Sequence, residues 1–247
     1  MFDLTAKVAL VTGAGQHVGA GIAAALAGQG ARVAVNDVRA DRADSTVARL
    51  VAEGHEAASF AFDVTDLEAV AAGVSSIAER FGPIDILVNN AGIPAGFRTV
   101  SFRDMPRPEW DRFVDLNLYG SMQCIAAVID GMCERRWGRI VQISSGAGQR
   151  GLNMGIALYG ASKSGIEGFI RHLSQEIATT GVTANSVALG MMDHVPPESL
   201  ERLAGRVPVG RLGSPADVGA AVVYVASDEA SWLTGQTIQL NGGAGTT

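Results

Sequence analysis

The sequence predicts an α/β fold in which one domain, residues 1–247, is built on a doubly wound parallel sheet of about seven strands. Short β-branched segments alternate along the chain with alanine-rich segments that have helical spacing. The strand segments are apolar almost throughout, which is typical of parallel strands that helices cover on both faces. No linker, low-complexity segment or repeat divides the chain, so we expect a single domain.

The order of the elements predicts where a ligand would bind. Strands are expected at residues 7–12, 31–37, 56–62, 84–90, 139–144, 182–188 and 237–240. Helices are expected at residues 18–29, 42–52, 67–80, 109–135 and 157–179. In such a sheet the ligand crevice lies outside the carboxyl ends of the strands. Residues 191–208 contain three prolines and are either a lid over the substrate or a surface connection.

The composition excludes several classes of partner. The chain carries a net charge of −6, which argues against a nucleic-acid partner because such proteins present a basic face. We expect no membrane segment, since no stretch approaches ~20 consecutive apolar residues. Cys124 and Cys133 lie nine positions apart on one predicted helix, too far apart for a direct disulfide. Free thiols of this kind indicate a cytoplasmic protein.

A glycine-rich turn joins the first predicted strand to the first helix. It contains Gly13, Gln16, His17, Val18 and Gly19. Glycines there allow the backbone to approach a ligand closely, and the N–H groups of the following helix face a pyrophosphate. A glycine-rich turn alone is often only structural, but its position directly after a strand indicates a dinucleotide site.

The end of the second predicted strand indicates which dinucleotide binds. A carboxylate at Asp37 can accept hydrogen bonds from both hydroxyls of an adenosine ribose and would repel a 2′-phosphate. This favours NAD over NADP. Two alternatives remain open: Asp37 is only a helix cap or turn residue, or Arg39 reaches the 2′-phosphate of NADP.

Tyr159 and Lys163 lie four positions apart on the predicted helix 157–179, so their side chains share one face. An ammonium beside a phenol favours the phenolate, which lowers the phenol pKa from about 10 toward the range needed for proton transfer near neutrality. The plainer interpretation is a half-buried ring beside a solvated amine. The pair alone does not decide between them.

Short motifs follow one another in order along nearly the whole chain. They are Thr12-Gly13 to Gly19, Asp63-Val64, Asn89-Asn90-Ala91-Gly92, Asn117, Ser144-Ser145, Tyr159 to Lys163, residues 185–190 and residues 234–243. In these motifs and their spacing the chain resembles the short-chain dehydrogenase/reductase family, particularly its 3-oxoacyl-thioester-reductase-like members. The resemblance implies a Rossmann-type fold, a nicotinamide cofactor and assembly as a homotetramer.

The resemblance also implies roles for individual residues. Tyr159 would be the general acid or base at the substrate oxygen, while Lys163 would lower its pKa and hold the nicotinamide ribose. Ser145, in preference to Ser144, would hydrogen-bond the substrate oxygen, and Asn117 would anchor a water relay behind Lys163. The further cofactor residues are Asp63 at the adenine amino group, Val64 at the adenine ring, Asn90, Ala91, Gly92, Gly190, Met192 and His194. A purely structural role for Asn90 remains open, and no residue is assigned as a metal ligand.

Three positions depart from the family pattern. His17 replaces the middle glycine of the phosphate turn, Leu189 replaces a proline, and His194 replaces a threonine that ordinarily meets the nicotinamide carboxamide. His17 either faces solvent or donates a hydrogen bond to the cofactor, more strongly when protonated. His194 either contacts cofactor or substrate or only alters the geometry of residues 191–208. Ser145 and Tyr159 are fourteen positions apart, one more than expected, which indicates an inserted residue beside the substrate.

Together these residues predict an oxidoreductase that transfers a hydride between NAD(H) and a secondary alcohol or ketone. The substrate is either a 3-hydroxyacyl or 3-oxoacyl thioester or a small cyclic or hydrophobic alcohol. The candidate apolar pocket residues are Leu152, Met154, Ile156, Met191 and Met192. The candidate cations for a carrier-protein entrance are Arg135, Arg136 and Arg139. The alternatives are the same chemistry with NADP(H), and a non-catalytic dinucleotide-binding protein.

Overall fold

The structure, a computed structural model, describes residues 1–246. Its strands are β1 Val8–Val11, β2 Arg32–Asn36, β3 Ala57–Phe60, β4 Ile86–Asn89, β5 Gly138–Ser145, β6 Val182–Leu189 and β7 Thr237–Leu240. They form one seven-stranded sheet in the order β3-β2-β1-β4-β5-β6-β7, and every neighbouring pair is parallel. The predicted parallel α/β sheet is therefore confirmed.

Helices cover both faces of this sheet. They are α1 His17–Gly28, α2 Ala40–Ala52, α3 Leu67–Phe81, α4 Trp110–Val114, α5 Gly120–Glu134, α6 Ala157–Ile177, α7 Pro197–Ala204 and α8 Pro215–Ala226. Within residues 1–246, no helix combines the length and the apolar character that crossing a membrane would require.

Successive residues of each strand point to opposite faces, and this produces two separate cores. On β1, Ala9 and Val11 belong to the core that α1 and α8 cover. Val8 and Leu10 belong to the core beneath α3, α5 and α6. Both faces of the central strands are apolar, so the sheet is stable only when helices bury both of them.

The strand order reverses between β1 and β4, which have β2 and β5 as their outer neighbours. Because all strands are parallel, their carboxyl ends lie at one edge, and the connections leave β1 and β4 in opposite directions. A crevice opens at this point of the edge. The phosphate turn follows β1, Asn90 follows β4, and Ser145 ends β5, so the topology brings these residues to the crevice.

Three helical regions differ from the sequence prediction. The helix expected at residues 109–135 is divided into α4 and α5 by a π-helical turn, Asp115–Tyr119, which contains Asn117. Side-chain periodicity does not reveal such a turn, because it adds a single residue to the helix. The sequence prediction also lacks α8, whose apolar residues are spread around the whole helix, although the Ser214–Asp217 capping box marks its start. Helix α7 lies within residues 191–208, where the sequence prediction has no helix.

Candidate active site

The phosphate turn between β1 and α1 packs tightly against the segment after β4. Gly13 has φ +60°, and a Cβ added there would lie 2.9 Å from the Cα of Ala91. The Asn90 amide donates hydrogen bonds to the carbonyls of Thr12 and Gly13, at 2.9 and 3.0 Å. Both amide hydrogens of Asn90 are therefore used to hold the turn, which favours the structural alternative for this residue.

The amino end of α1 is suited to an anion. Gln16 has an extended backbone at the N-cap, its side chain makes no capping hydrogen bond, and the first turn contains no acidic residue. The backbone N–H groups of His17, Val18 and Gly19 lie in that first turn, where a helix has no internal acceptors for them. The turn therefore fits the pyrophosphate of a dinucleotide.

Asp37 directly follows β2 and lies against the phosphate turn. Its Oδ2 accepts a hydrogen bond of 3.2 Å from the Gly15 N–H, and its Oδ1 accepts one of 3.0 Å from the Arg39 N–H. The guanidinium of Arg39 instead forms an exposed ion pair with Asp41 at 2.7 Å. A carboxylate, rather than a cation, thus lies where a ribose next to the turn would bind.

The predicted adenine residues follow β3. Asp63 is exposed, and its Oδ1 accepts hydrogen bonds from the backbone and the hydroxyl of Thr65, at 2.9 and 2.8 Å. Val64 is buried, and its Cγ2 lies 3.0 Å from the position of a Cβ added to Gly120. The other carboxylate oxygen of Asp63, Oδ2, takes no part in these two hydrogen bonds, so it can accept a further one.

Lys163, Asn117 and Gly92 converge behind the crevice. Lys163 is buried, and its Nζ donates a hydrogen bond of 2.9 Å to the carbonyl of Ile143. A Cβ added to Gly92 would lie 2.7 Å from Lys163 Nζ and 2.8 Å from Asn117 Oδ1. Asn117 Nδ2 donates to the Phe113 carbonyl at 3.1 Å, whereas its buried Oδ1 has no hydrogen-bond partner within residues 1–246.

Tyr159 and Ser145 meet at the end of β5. Burial raises the pKa of the Tyr159 phenol above its ordinary value, and a hydrogen bond with Ser145 opposes this rise. Lys163 Nζ lies 5.8 Å from the centroid of the Tyr159 ring. The structure therefore brings the pair together; burial has the largest effect on the phenol pKa, and the expected lowering by Lys163 stays a prediction.

The structure separates the two adjacent serines. Ser144 is buried and donates its hydroxyl hydrogen to Glu167, whereas Ser145 lies beside the phenol and accepts a hydrogen bond of 3.2 Å from the Ala147 N–H. Ser145 is thus the serine at the crevice. The sequence prediction lacks Glu167, a buried carboxylate four positions after Lys163; its place on the same helix face as Lys163 is a signal that the sequence does contain.

The two unusual histidines face each other across the crevice. The rings of His17 and His194 lie 5.1 Å apart between centroids, with 33° between their planes. His17 has φ +46°, a left-handed conformation that is uncommon for a residue with a side chain. Burial and the neighbouring His17 lower the pKa of His194, while Asp193 opposes this. Contact between positions so far apart in the sequence could not be predicted from either one.

The substrate side of the crevice differs from the predicted pocket. Met192 is buried in the core beneath α1 and α8, so its side chain does not line the crevice. Gly190 packs against the segment after β7, where a Cβ would lie 2.7 Å from the Asn241 Cα. The loop after β4 supplies Phe97, whose ring centroid lies 6.1 Å from that of Tyr159. The sequence prediction lacks Phe97, since a single aromatic residue in a loop carries no periodic signal.

A cleft formed by the loop after β5 and the start of α6 does not include the reacting groups, and neither does the predicted basic entrance. A cleft of about 480 Å³ is lined by residues such as Arg150, Leu152 and Ile156, but not by Tyr159, Ser145 or Lys163. The candidate cations lie near the amino end of β5, the edge opposite the crevice. Arg139 there is buried, and donates to the carbonyl of Ser227. Arg139 is therefore unavailable to an entrance, whereas a basic entrance from Arg135 and Arg136 stays a prediction.

Comparisons with known proteins agree with this geometry. A family model described as enoyl-(acyl carrier protein) reductase matches residues 13–245. The chain is 39% identical to 3-oxoacyl-(acyl-carrier-protein) reductase of Pseudomonas aeruginosa, over 98% of each chain. It is 40% identical to acetoacetyl-CoA reductase of Shinella zoogloeoides, over 96% of this chain and 98% of that protein.

A solved structure has the same fold. A variant of actinorhodin polyketide ketoreductase with NADPH superimposes with a TM-score of 0.91 and 35% identity, covering 98% of each chain. The chain matches these relatives over nearly its whole length. It also has the sheet order, the glycine turn and the arrangement of Ser145, Tyr159 and Lys163 described above. The chain thus belongs to the short-chain dehydrogenase/reductase family, whose members are oxidoreductases.

Proposed function

We propose that the protein transfers a hydride between NAD(H) and a secondary alcohol or ketone, with a 3-hydroxyacyl or 3-oxoacyl thioester as the substrate. The observation that carries this proposal is the convergence of the Tyr159 phenol, the Ser145 hydroxyl and the buried Lys163 ammonium beside a turn that fits a pyrophosphate. A protein that only bound a dinucleotide would need the turn but not the three reacting groups. The non-catalytic alternative is therefore disfavoured.

The proposed chemistry divides between protein and cofactor. A bound nicotinamide supplies the hydride donor or acceptor. Tyr159 gives a proton to the substrate oxygen in reduction and takes one in oxidation, while Ser145 donates a hydrogen bond to the same oxygen. Lys163 holds the ribose hydroxyls and stabilises the phenolate. The free Oδ1 of Asn117 points to the same region as Lys163 Nζ, so it can accept a hydrogen bond from a relaying water.

The substrate class is proposed from the relatives and from the lining of the crevice. The two curated relatives are named for a 3-oxoacyl and an acetoacetyl thioester substrate. Phe97 beside Tyr159 provides an apolar wall for the carbon chain next to the carbonyl. Residues 191–208, which contain α7, remain our proposal for a lid over this space. A homotetramer and a cytoplasmic location are proposed from the same family membership.

The choice of NAD is proposed from Asp37. Its carboxylate lies beside the phosphate turn, where it would accept hydrogen bonds from ribose hydroxyls and repel a 2′-phosphate. NADP is the second candidate, since the related ketoreductase structure contains NADPH and Arg39 is two positions from Asp37. The ion pair of Arg39 with Asp41 occupies its guanidinium in this structure.

Titrating the protein with NADH and NADPH, followed by nicotinamide fluorescence, tests the cofactor. We expect NADH to bind at least roughly tenfold more tightly, and Asp37→Asn to remove most of this preference because it removes the repelling charge. Asp130→Asn, at an exposed position of α5, is the matched control and should leave the preference unchanged. Tighter binding of NADPH by the unaltered protein would contradict the assignment of NAD.

An assay of reduction and oxidation across pH, followed by the absorbance of reduced nicotinamide, tests the reaction. The raised pKa of Tyr159 keeps the phenol protonated near neutrality, and the ammonium of Lys163, whose pKa burial lowers to about 8, is protonated there too. Reduction of acetoacetyl-CoA should therefore be fastest below that pH and decline above it, while oxidation of the hydroxyacyl product should rise. Binding of NADH without turnover of thioesters, ketones or cyclic alcohols would favour the non-catalytic alternative.

The histidine pair is proposed to bind the cofactor at the phosphate turn. His17 lies in the first turn of α1, and its ring contacts His194 across the crevice, so an imidazolium at either position would be near the pyrophosphate. The charged groups nearby are Asp193, next to His194, and Asp37, next to Gly15. Because the protonated form attracts the anion, affinity should fall as pH rises.

We expect NADH to bind roughly threefold to tenfold more tightly at pH 5.5 than at pH 8, from one charge-assisted contact worth ~1 kcal/mol. The acid end of this range lies below neutrality by more than one unit because the pKa of His194 is lowered. His17→Gly and His194→Thr should each reduce this difference, and the double variant should change it by less than the sum of the two because the rings contact each other. His172→Gln, at an exposed site on α6, is the control. An unchanged pH dependence in His17→Gly would contradict the role.

A further inference from the structure

We propose that Glu167 is a positioning residue whose carboxylate ties together the helix, the strand end and the loop that surround the reacting groups. The inference rests on the proposed function, because it concerns how Ser145, Tyr159 and Lys163 are held for that reaction. Glu167 lies on α6, one turn beyond Lys163, and only 1% of its surface is exposed. A buried carboxylate is costly unless its oxygens are paired, so its partners indicate what it does.

Each carboxylate oxygen of Glu167 accepts a hydrogen bond from a different segment. Ser144, at the end of β5, donates its hydroxyl hydrogen to Oε1, and Gln149, in the loop after β5, donates through Nε2 to Oε2. Ser144 directly precedes Ser145, so the first bond fixes the strand end from which Ser145 projects. A carboxylate suits this place because it only accepts hydrogen bonds and both partners donate them.

The loop after β5 packs on the same part of α6 through its backbone. A Cβ added to Gly148 would lie 3.1 Å from Lys163 Cβ and 3.2 Å from Glu167 Oε1, so a larger residue would push the loop away. The Ser164 hydroxyl also donates a hydrogen bond of 2.6 Å to the Gly148 carbonyl. The loop is therefore attached to α6 at neighbouring positions, with the carboxylate at the centre of the contact.

Glu167 also acts on the charge of Lys163. Burial lowers the pKa of Lys163, and the negative charge of Glu167 opposes that change. Burial raises the pKa of Glu167 itself, while the Ser144 hydrogen bond, Arg171 and Lys163 oppose the rise. Lys163 and Arg171 lie one turn to either side of Glu167 on the same helix. Glu167 therefore keeps Lys163 in the ammonium form that the proposed reaction uses.

Glu167→Gln tests this proposal because it keeps the size of the side chain but removes its charge and one acceptor oxygen. We expect kcat for reduction to fall roughly tenfold or more, since a small displacement of reacting groups has effects of that size. The alkaline decline of kcat should move to lower pH. In the ligand-free protein, the midpoint for deprotonation of Lys163, followed by NMR of isotope-labelled lysine, should also move to lower pH.

Two further variants complete the test. Glu176→Gln, at an exposed position of α6, is the matched control and should behave like the unaltered protein. Gln149→Ala removes one donor but leaves the charge, so kcat should fall by a smaller factor, roughly threefold, with the Lys163 midpoint unchanged. This variant decides the question if Glu167→Gln does not fold, because an unchanged kcat in Gln149→Ala would then overturn the proposal.

The outcomes distinguish this inference from the proposed function. A folded Glu167→Gln protein with unchanged kcat and an unchanged Lys163 midpoint would overturn the role of Glu167 alone. If the unaltered protein turns over no alcohol or ketone, the proposed function fails. In that case the NMR midpoint for Lys163 deprotonation still shows whether Glu167 stabilises the ammonium, because that measurement needs neither cofactor nor substrate.

Discussion

The buried ammonium of Lys163 is the group on which the rest of the site depends. A cation in a protein interior is stable only with acceptors and counter-charge around it. Lys163 has the Ile143 carbonyl as acceptor and Glu167 as the nearby negative charge. Helix α6, strand β5 and the π turn that carries Asn117 must all lie close to this one nitrogen, and their packing also places Tyr159 and Ser145 side by side.

The parallel sheet makes this arrangement possible. Strands with apolar residues on both faces require helices on both sides, and the reversal of strand order between β1 and β4 leaves a crevice at their carboxyl ends. One side of the crevice carries the phosphate turn and Asp37, which fit a dinucleotide. The other side carries the phenol and the hydroxyl, so cofactor and substrate would meet between them.

The sequence predicts the sheet well because apolar strands and the helices between them repeat with clear periods. It also predicts the neighbourhood of Tyr159 and Lys163, since four positions on a helix fix their relative placement. It does not predict the contact between His17 and His194, which depends on the whole fold, or the π turn. The direction of the Tyr159 pKa shift can be predicted only with the structure, because a sequence motif does not show how deeply a side chain is buried. Glu167 is different, because its position on the same helix face as Lys163 can be read from the sequence.

The most direct test of the account is the turnover of Tyr159→Phe, measured together with its affinity for NADH. Removing only the phenolic oxygen should reduce the rate of acetoacetyl-CoA reduction by roughly a hundredfold to ten-thousandfold, the usual contribution of a general acid. NADH affinity should stay within about threefold, because the hydrogen bonds of Lys163 and the phosphate turn do not involve that oxygen. Tyr119→Phe, at an exposed position, is the matched control. Full activity in Tyr159→Phe would contradict the central claim that this phenol transfers the proton.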